Sequence, residues 1–251
     1  MATRALLYRR PAEPATVLVK HGSQYFAIRL RRHRRARRYT LRIHPSDREA
    51  ILTIPPRGTL AEAKDFAQRH GAWIAARLGR LPKAAPFQPG TVIPLRGTAH
   101  RIVHRAGTRG TVWTEVRDSG ERILCVAGGV EHVDRRVSDF LKREARHDLQ
   151  RSAEAYAVEL GVRVKRLSIR DQSSRWGSCT SAGSLSFSWR LILAPPYVLD
   201  YLAAHEVAHL VEMNHSARFW RVCGKACPSM ERAKKWLDTY GNDLHRYGVE
   251  D

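Results

Sequence analysis

The most constraining feature of this 251-residue sequence is a helix-forming segment that is apolar almost all round yet carries two histidines and a glutamate. The segment covers residues 197–212 and directly follows a pair of prolines. A helix that is apolar on every face is buried. Buried polar side chains need partners, and a metal ion supplies a partner to several of them at once. The segment therefore predicts a buried helix built around a metal site.

The two histidines of this segment have the spacing of a zinc site. His205 and His209 are four residues apart, so their imidazole rings lie on one helix face about one turn apart. Glu206 projects to the side of that face. From there its carboxylate can accept a proton from an attacking water without occupying a coordination position. The pattern predicts two metal ligands and, in Glu206, a general base.

A third ligand is expected shortly after the helix. His215 follows Asn214, and asparagine tolerates the left-handed conformation that turns a chain back on itself. Glu212 is the alternative ligand, but its position on the same helix aims it poorly at the metal. We therefore predict His215 as the third ligand. Three protein ligands leave a fourth position for water, which is typical of catalytic rather than structural zinc.

Two residues that precede the buried helix are candidates for substrate binding. Arg175 and Trp176 lie between two predicted strands and come just before a glycine. The guanidinium of Arg175 could hold a substrate anion or carbonyl. A structural role, with Arg175 stacked on the ring of Trp176, is at least as good an interpretation.

The first 130 residues are predicted to form a strand-rich region with one helix. Apolar and β-branched residues favour an antiparallel sheet from segments 16–30, 38–43 and 50–54, and further short strands at 91–103, 112–116 and 123–126. Thr59, with Glu62 three residues later, has the pattern of a capping box. The helix that begins there should end near Gly79.

Residues 131–251 are predicted to form a more helical region. Apolar residues recur every three or four positions from 134 to 160, where Gly161 should end a long amphipathic helix. Segments 164–170 and 183–193 read as strands of a short antiparallel sheet, because apolar and polar residues alternate along the second of them. Together the two regions predict an α+β protein.

Several motifs resemble the YgjP-like metallohydrolase family, which is related to SprT-type and WSS-type metallopeptidases. They are Ser174-Arg175-Trp176-Gly177-Ser178-Cys179, the segment 195–201, His205-Glu206-Val207-Ala208-His209-Leu210 and Asn214-His215-Ser216-Ala217-Arg218-Phe219-Trp220. The resemblance implies an α+β fold whose catalytic half is zincin-like. It also implies that His205, His209 and His215 bind zinc and that Glu206 is the general base. Relatives act on proteins or have been associated with nucleotide phosphohydrolysis, so the resemblance leaves the substrate open.

The formal charge of +20 is the second prominent feature of the sequence. Much of the excess lies in the arginine-rich segment 29–38. A surface this positive attracts polyanions, so DNA or another polyanion is a candidate partner. A solvated rim without any ligand is an equally good interpretation of the segment.

Three functions remain open from the sequence. A metallopeptidase would lay an extended protein or peptide along an edge strand, for which segment 183–190 is the candidate. A nucleotide phosphohydrolase would grip phosphates with arginines. A nucleic-acid-binding protein with structural zinc would need a fourth ligand such as Cys179. No apolar run is long enough to span a membrane and the four cysteines are too few for a disulfide framework, so we expect a cytoplasmic protein without membrane contact.

Overall fold

The structure is a computed structural model that describes residues 14–172 and 174–249. The chain divides into two compact units, residues 1–81 and 82–251. Both units combine helices with small sheets, which confirms the predicted α+β class. The first unit contains β1 (Thr16–His21), β2 (Gln24–Arg32), β3 (Thr40–His44), β4 (Glu49–Ile54), α1 (Leu60–Arg69) and α2 (Gly71–Gly79).

The sheet of the first unit is mixed, and the prediction of an antiparallel sheet was wrong. Its strand order is β1-β2-β4-β3, in which β2 and β4 run parallel and the other pairs are antiparallel. The reason lies in β4, which is buried along almost its whole length. A strand of that kind takes a central position with a neighbouring strand on each side, so β3 lies at the edge of the sheet.

The helix predicted after this sheet begins as expected but is divided. Thr59 and Glu62 form the reciprocal capping box at the start of α1. The helix ends at Arg69, and His70 separates it from α2. The His70 Nδ1 atom lies 2.8 Å from the carbonyl oxygen of Phe66, so the side chain contacts the carbonyl group at the end of α1.

The second unit opens with a four-stranded sheet. Its strands are β5 (Val92–Leu95), β6 (Thr98–Arg105), β7 (Val112–Val116) and β8 (Arg122–Ala127), in the order β5-β6-β8-β7. The 27-residue helix α3 (Val133–Glu159) follows and packs against β8. Ile102 and Leu124 of the sheet share one buried core with Leu141 of α3. Because of this shared core, the division of the chain falls at residue 81 rather than at the predicted 130.

The rest of the second unit carries a three-stranded sheet and three helices. The elements are β9 (Arg166–Arg170), β10 (Gly177–Cys179), β11 (Ser184–Ser188), α4 (Pro196–Ala208), α5 (Ala217–Ala226) and α6 (Met230–Tyr240). Short 3-10 helices cover Val130–His132, Trp189–Leu193 and Gly241–Arg246. No helix in the described ranges is long and apolar enough to cross a bilayer.

The three-stranded sheet corrects two predictions. Its order is β10-β11-β9, and β11 pairs parallel with β9 and antiparallel with β10, so this sheet is mixed rather than antiparallel. Segment 183–190 contains β11, which is the central strand and has no free edge. The edge strand that packs against α4 is instead the three-residue β10. The alternation in β11 indicated a buried face but could not reveal which strand lies at the edge.

Candidate metal centre

Helix α4 supplies three of the predicted site residues from a buried position. Proline at its first position suits the fixed backbone angle of a helix start, and the helix is apolar around its circumference. Glu206 is only 4% exposed and His209 only 8%. His205 is half-buried and faces the cleft described below. The buried helix predicted from the sequence is therefore present.

The chain leaves α4 earlier than predicted and turns by other means. The helix ends at Ala208, with His209 as its C-cap. Among the described residues Asn214 does not adopt a positive φ, so the predicted left-handed turn at this asparagine was wrong. Its side-chain oxygen instead accepts a hydrogen bond from the backbone N–H of Ser216. Ser216 in turn caps α5, so polar side chains rather than a strained backbone make the turn.

The turn brings three histidines together. Nitrogen atoms of His205, His209 and His215 all lie within 4.8 Å of one another, and the Nε2 atoms of His205 and His215 are 3.2 Å apart. In the described part of the chain, no other His, Cys, Asp or Glu belongs to this cluster. Glu212 and Cys179, which the sequence left open as ligands, are therefore not members of it.

Neighbouring groups fix the orientation of the rings. The Tyr201 hydroxyl lies 3.4 Å from Nδ1 of His205, and the Glu212 carbonyl oxygen lies 3.2 Å from Nδ1 of His209. Contacts to Nδ1 leave the Nε2 atoms of both rings for a metal, and such partners commonly orient histidine ligands. Sequence reasoning missed Tyr201, although its position one helical turn before His205 was a usable signal.

Helix α5 adds an aromatic wall to the cluster. Phe219 stacks on His209 with 4.5 Å between ring centroids, and Trp220 stacks on His215 with 5.4 Å. Phe219 is fully buried, so it shields one side of the histidines from solvent. This apolar surrounding, like Tyr201, was not predicted from the sequence.

The histidines are held in the state that binds metals. Burial lowers the pKa of His205 to about 4, with a further contribution from the neighbouring His209 and His215. Burial also lowers the pKa of His209. Near neutral pH both imidazoles are therefore uncharged, as a metal ligand must be. Three convergent neutral nitrogens are a donor set that fits a divalent ion such as zinc.

Glu206 lies against the backbone of β10. A Cβ atom at Gly177 would come within 2.5 Å of a Glu206 carboxylate oxygen, so any larger residue here would displace this carboxylate. Burial raises the pKa of Glu206 to about 7, although the charge of Arg175 lowers it. A carboxylate with a pKa near neutrality is well matched to general base catalysis. Nothing in the sequence pattern predicts that Gly177, 29 positions earlier, contacts this side chain.

An open cleft of ≈ 320 Å³ leads to His205 and Glu206. Its other lining residues are Trp176, Gly177, Tyr201, Leu202, Lys234, Leu237 and Asp238. Trp176, a predicted substrate-binding residue, thus forms part of the wall, where its ring stacks on His245. Arg175 is exposed and acts on Glu206 through its charge, and within the described ranges no stacking of Arg175 on Trp176 occurs.

The fold and the site together define the class of protein. A buried helix with a three-histidine cluster, a buried glutamate and an adjoining open cleft is the arrangement of a metallopeptidase-type hydrolase. The sequence profile of the YgjP-like family, described as a metallopeptidase domain, matches residues 37–240. The chain belongs to this family.

One solved structure is similar to part of this chain. The crystal structure of the metallopeptidase zymogen of Pyrococcus abyssi abylysin is 26% identical in sequence and covers 40% of this chain and 99% of its own, with a TM-score of 0.34. No curated protein is significantly similar to this chain.

Proposed function

We propose that this protein is a zinc-dependent peptidase in which Glu206 is the general base and an extended peptide binds along the free edge of β10. The observation that carries the proposal is the position of this edge strand, whose first residue, Gly177, touches the Glu206 carboxylate. A peptide added to this edge would pass the base and the three histidines. The proposal replaces segment 183–190 as the substrate-binding strand.

The hydrogen-bonding register of β10 supports this role. Ser188 donates its backbone N–H to Trp176, and Thr180 donates its N–H to Ser184, on either side of the pair Ser178–Ser186. In an antiparallel pair, residues alternate between bonding to the partner strand and pointing away from it. The backbone groups of Gly177 and Cys179 therefore face the free edge. They can bind a substrate main chain in the manner of an added strand.

The composition of the cleft favours a peptide over a nucleotide. Among the described residues that line it, Lys234 is the one Lys or Arg, and its amine already lies 3.1 Å from a carboxylate oxygen of Glu231. Asp238 adds a negative charge to the same wall. A polyphosphate would need several uncompensated cations at this point. Trp176 and Leu237 instead offer apolar surface to a substrate side chain.

The residues have distinct tasks in this mechanism. His205, His209 and His215 would hold the metal, which when bound supplies Lewis-acid activation at the scissile group. Glu206 takes a proton from the attacking water and delivers it to the leaving amine. The backbone of β10 aligns the peptide, while Phe219 keeps solvent from the far side of the histidines.

The test is a pair of matched substitutions, Glu206→Gln and Glu212→Gln. Each replaces a carboxyl group near the cluster by an amide of the same shape, but the Glu212 side chain is not among the members of the cluster. We expect both variants to bind one equivalent of zinc, and Glu206→Gln alone to lose cleavage of an unstructured protein by about 10²–10⁴-fold. Equal turnover in the two variants would remove Glu206 as the base. Hydrolysis of a nucleoside triphosphate but of no protein would establish the phosphohydrolase alternative instead.

A second pair of variants tests the edge strand. Cys179→Pro removes an outward-facing N–H, whereas Cys179→Ala removes the thiol and keeps the N–H. Proline is tolerated on an edge strand at a position that does not donate to the ladder. We expect Cys179→Pro to raise KM for a peptide substrate and Cys179→Ala to leave it unchanged. The same KM in both variants would exclude main-chain binding at this residue.

A further inference from the structure

The sheet of the first unit has one face in the core and one open face. Alternate residues such as Ile28 and Leu52 are fully buried in a cluster that also contains Ala63 and Ile74 of the two helices. The residues between them, including Arg29 and Arg31 of β2 and Arg42 of β3, are exposed. The alternation of a strand therefore directs part of the arginine-rich segment onto a single surface.

Two arginines of this segment have structural partners. Arg29 forms ion pairs with Asp47 and Glu49, the shorter of them 2.9 Å long. The guanidinium of Arg32 donates to the carbonyl groups of Pro55 and Gly58 and so holds the loop after β4. These contacts account for Arg29 and Arg32 without any ligand.

Four other arginines surround a groove of ≈ 580 Å³. They are Arg31, Arg37, Arg38 and Arg42. Among the described residues, no acidic side chain lines the groove and none of these four arginines forms an ion pair. Maintaining several like charges side by side is unfavourable without counter-charges, so the groove is suited to an anionic ligand.

The shape of the groove follows from the strand register. Arg31, Thr53 and Thr40 lie level with one another on three adjacent strands. The short threonines form a polar floor, and the long arginines rise on either side of it from β2, from β3 and from the loop that joins them. Strands β2 and β3 are two strand spacings apart, which places the flanking rows about 10 Å from each other.

We propose that this groove binds the phosphodiester backbone of a nucleic acid strand without regard to base sequence. Arginine forks bind phosphate oxygens in bidentate geometry, and threonine hydroxyls commonly add further backbone contacts. A nucleic acid carries a negative charge at every unit, which matches charges spread across the groove better than an acidic peptide does. Among the described residues that line the groove there is no Phe, Tyr or Trp, and the imidazole of His33 is the one ring that could stack on a base, so the backbone is the main feature to be bound.

A membrane surface fits this groove less well. Lipid-binding patches combine basic residues with large apolar side chains that enter the bilayer. Of the described residues that line the groove, Ala36 is the one with an aliphatic side chain. The surface is also concave, so the threonine floor could not reach a planar bilayer. The binding of anionic vesicles is therefore an outcome against the proposal.

The experiment compares Arg37→Gln/Arg38→Gln with the matched control Arg34→Gln/Arg35→Gln in the full chain. All four arginines are exposed and belong to the same loop, but Arg34 and Arg35 do not line the groove. Binding of fluorescent single-stranded DNA and RNA is measured by anisotropy over a range of salt concentrations. Loss of two phosphate contacts should make the slope of log K against log[salt] less steep by about 1.4. At 0.1 M salt this corresponds to a loss of affinity of about 25-fold.

The control pair should leave both the slope and the affinity near the wild-type values. Equal losses in the two pairs would show that general charge, not the groove, binds the strand. Stronger binding of one base sequence, or equal binding of polyglutamate, would also overturn the proposal. Binding only to vesicles of phosphatidylserine and phosphatidylcholine, and not to DNA or RNA, would overturn it as well. Thermal unfolding checks that both pairs are folded, and Arg42→Gln gives a second readout from a different element.

Discussion

Replacing Gly177 by alanine tests the contact on which the site depends most. The backbone of Gly177 is not in the left-handed region, so alanine introduces no backbone strain there. The new Cβ atom would, however, lie 2.5 Å from Oε1 and 2.8 Å from Cδ of Glu206. Because an ordinary contact needs about 3.4 Å, the carboxylate must move by about 0.9 Å.

The expected consequence is a loss of catalysis without a loss of metal. A misplacement of about 1 Å in a catalytic group costs on the order of 10²-fold, or about 2.7 kcal/mol of activation free energy. We expect the kcat of Gly177→Ala on a fluorescence-quenched peptide to fall by this factor. Zinc content should stay at the wild-type value, because Gly177 contacts Glu206 and is not in the histidine cluster.

Gly224→Ala is the matched control for this variant. A Cβ at Gly224 of α5 would lie 3.4 Å from the terminal methyl group of Met230, which is an ordinary contact. Helix propensity predicts unchanged kcat and a gain of up to about 1 kcal/mol in the free energy of unfolding. Wild-type kcat in Gly177→Ala would refute the reasoning, and a rise in KM alone would show that Gly177 acts on the substrate rather than on Glu206.

Three further predictions concern other contacts. Tyr201→Phe removes the hydroxyl beside Nδ1 of the first histidine and should weaken zinc affinity by about 10–100-fold, measured by competition with a chelator. Arg190→Met removes the ion pair between a buried guanidinium and the partly exposed Asp171 and takes a donor from the Leu244 carbonyl, and should cost about 1–3 kcal/mol in urea unfolding. Burial raises the pKa of Asp171, but Arg190 lowers it by a larger amount, so the net pKa lies below the ordinary carboxyl value. The ion pair therefore stabilises the fold at pH values above the ordinary carboxyl pKa. That contribution should disappear as the pH falls through the lowered pKa, and stability in Arg190→Met should depend less on pH there. Thr59→Ala should cost about 1 kcal/mol by loss of the helix cap, and no change on thermal unfolding would contradict that role.

Local features of the sequence were sufficient to predict the elements of the site. The four-residue spacing of His205 and His209 places both on one helix face whatever the rest of the fold. The capping box at Thr59 and the α+β class were likewise predicted correctly, because they depend on neighbouring residues and on hydrophobic periodicity. His215 could be proposed because it lies only six residues beyond His209.

Contacts between residues distant in sequence were decided by the tertiary structure. The parallel pairing of β2 with β4 and the edge position of β10 follow from which strands must be buried on both sides, which periodicity within one strand does not reveal. The contact of Gly177 with Glu206 and the stacking of Phe219 on His209 were likewise decided by packing and could not be predicted from periodicity. The sequence alone thus determined which three histidines could form a cluster. Only packing between elements decided which backbone edge and which aromatic rings surround them.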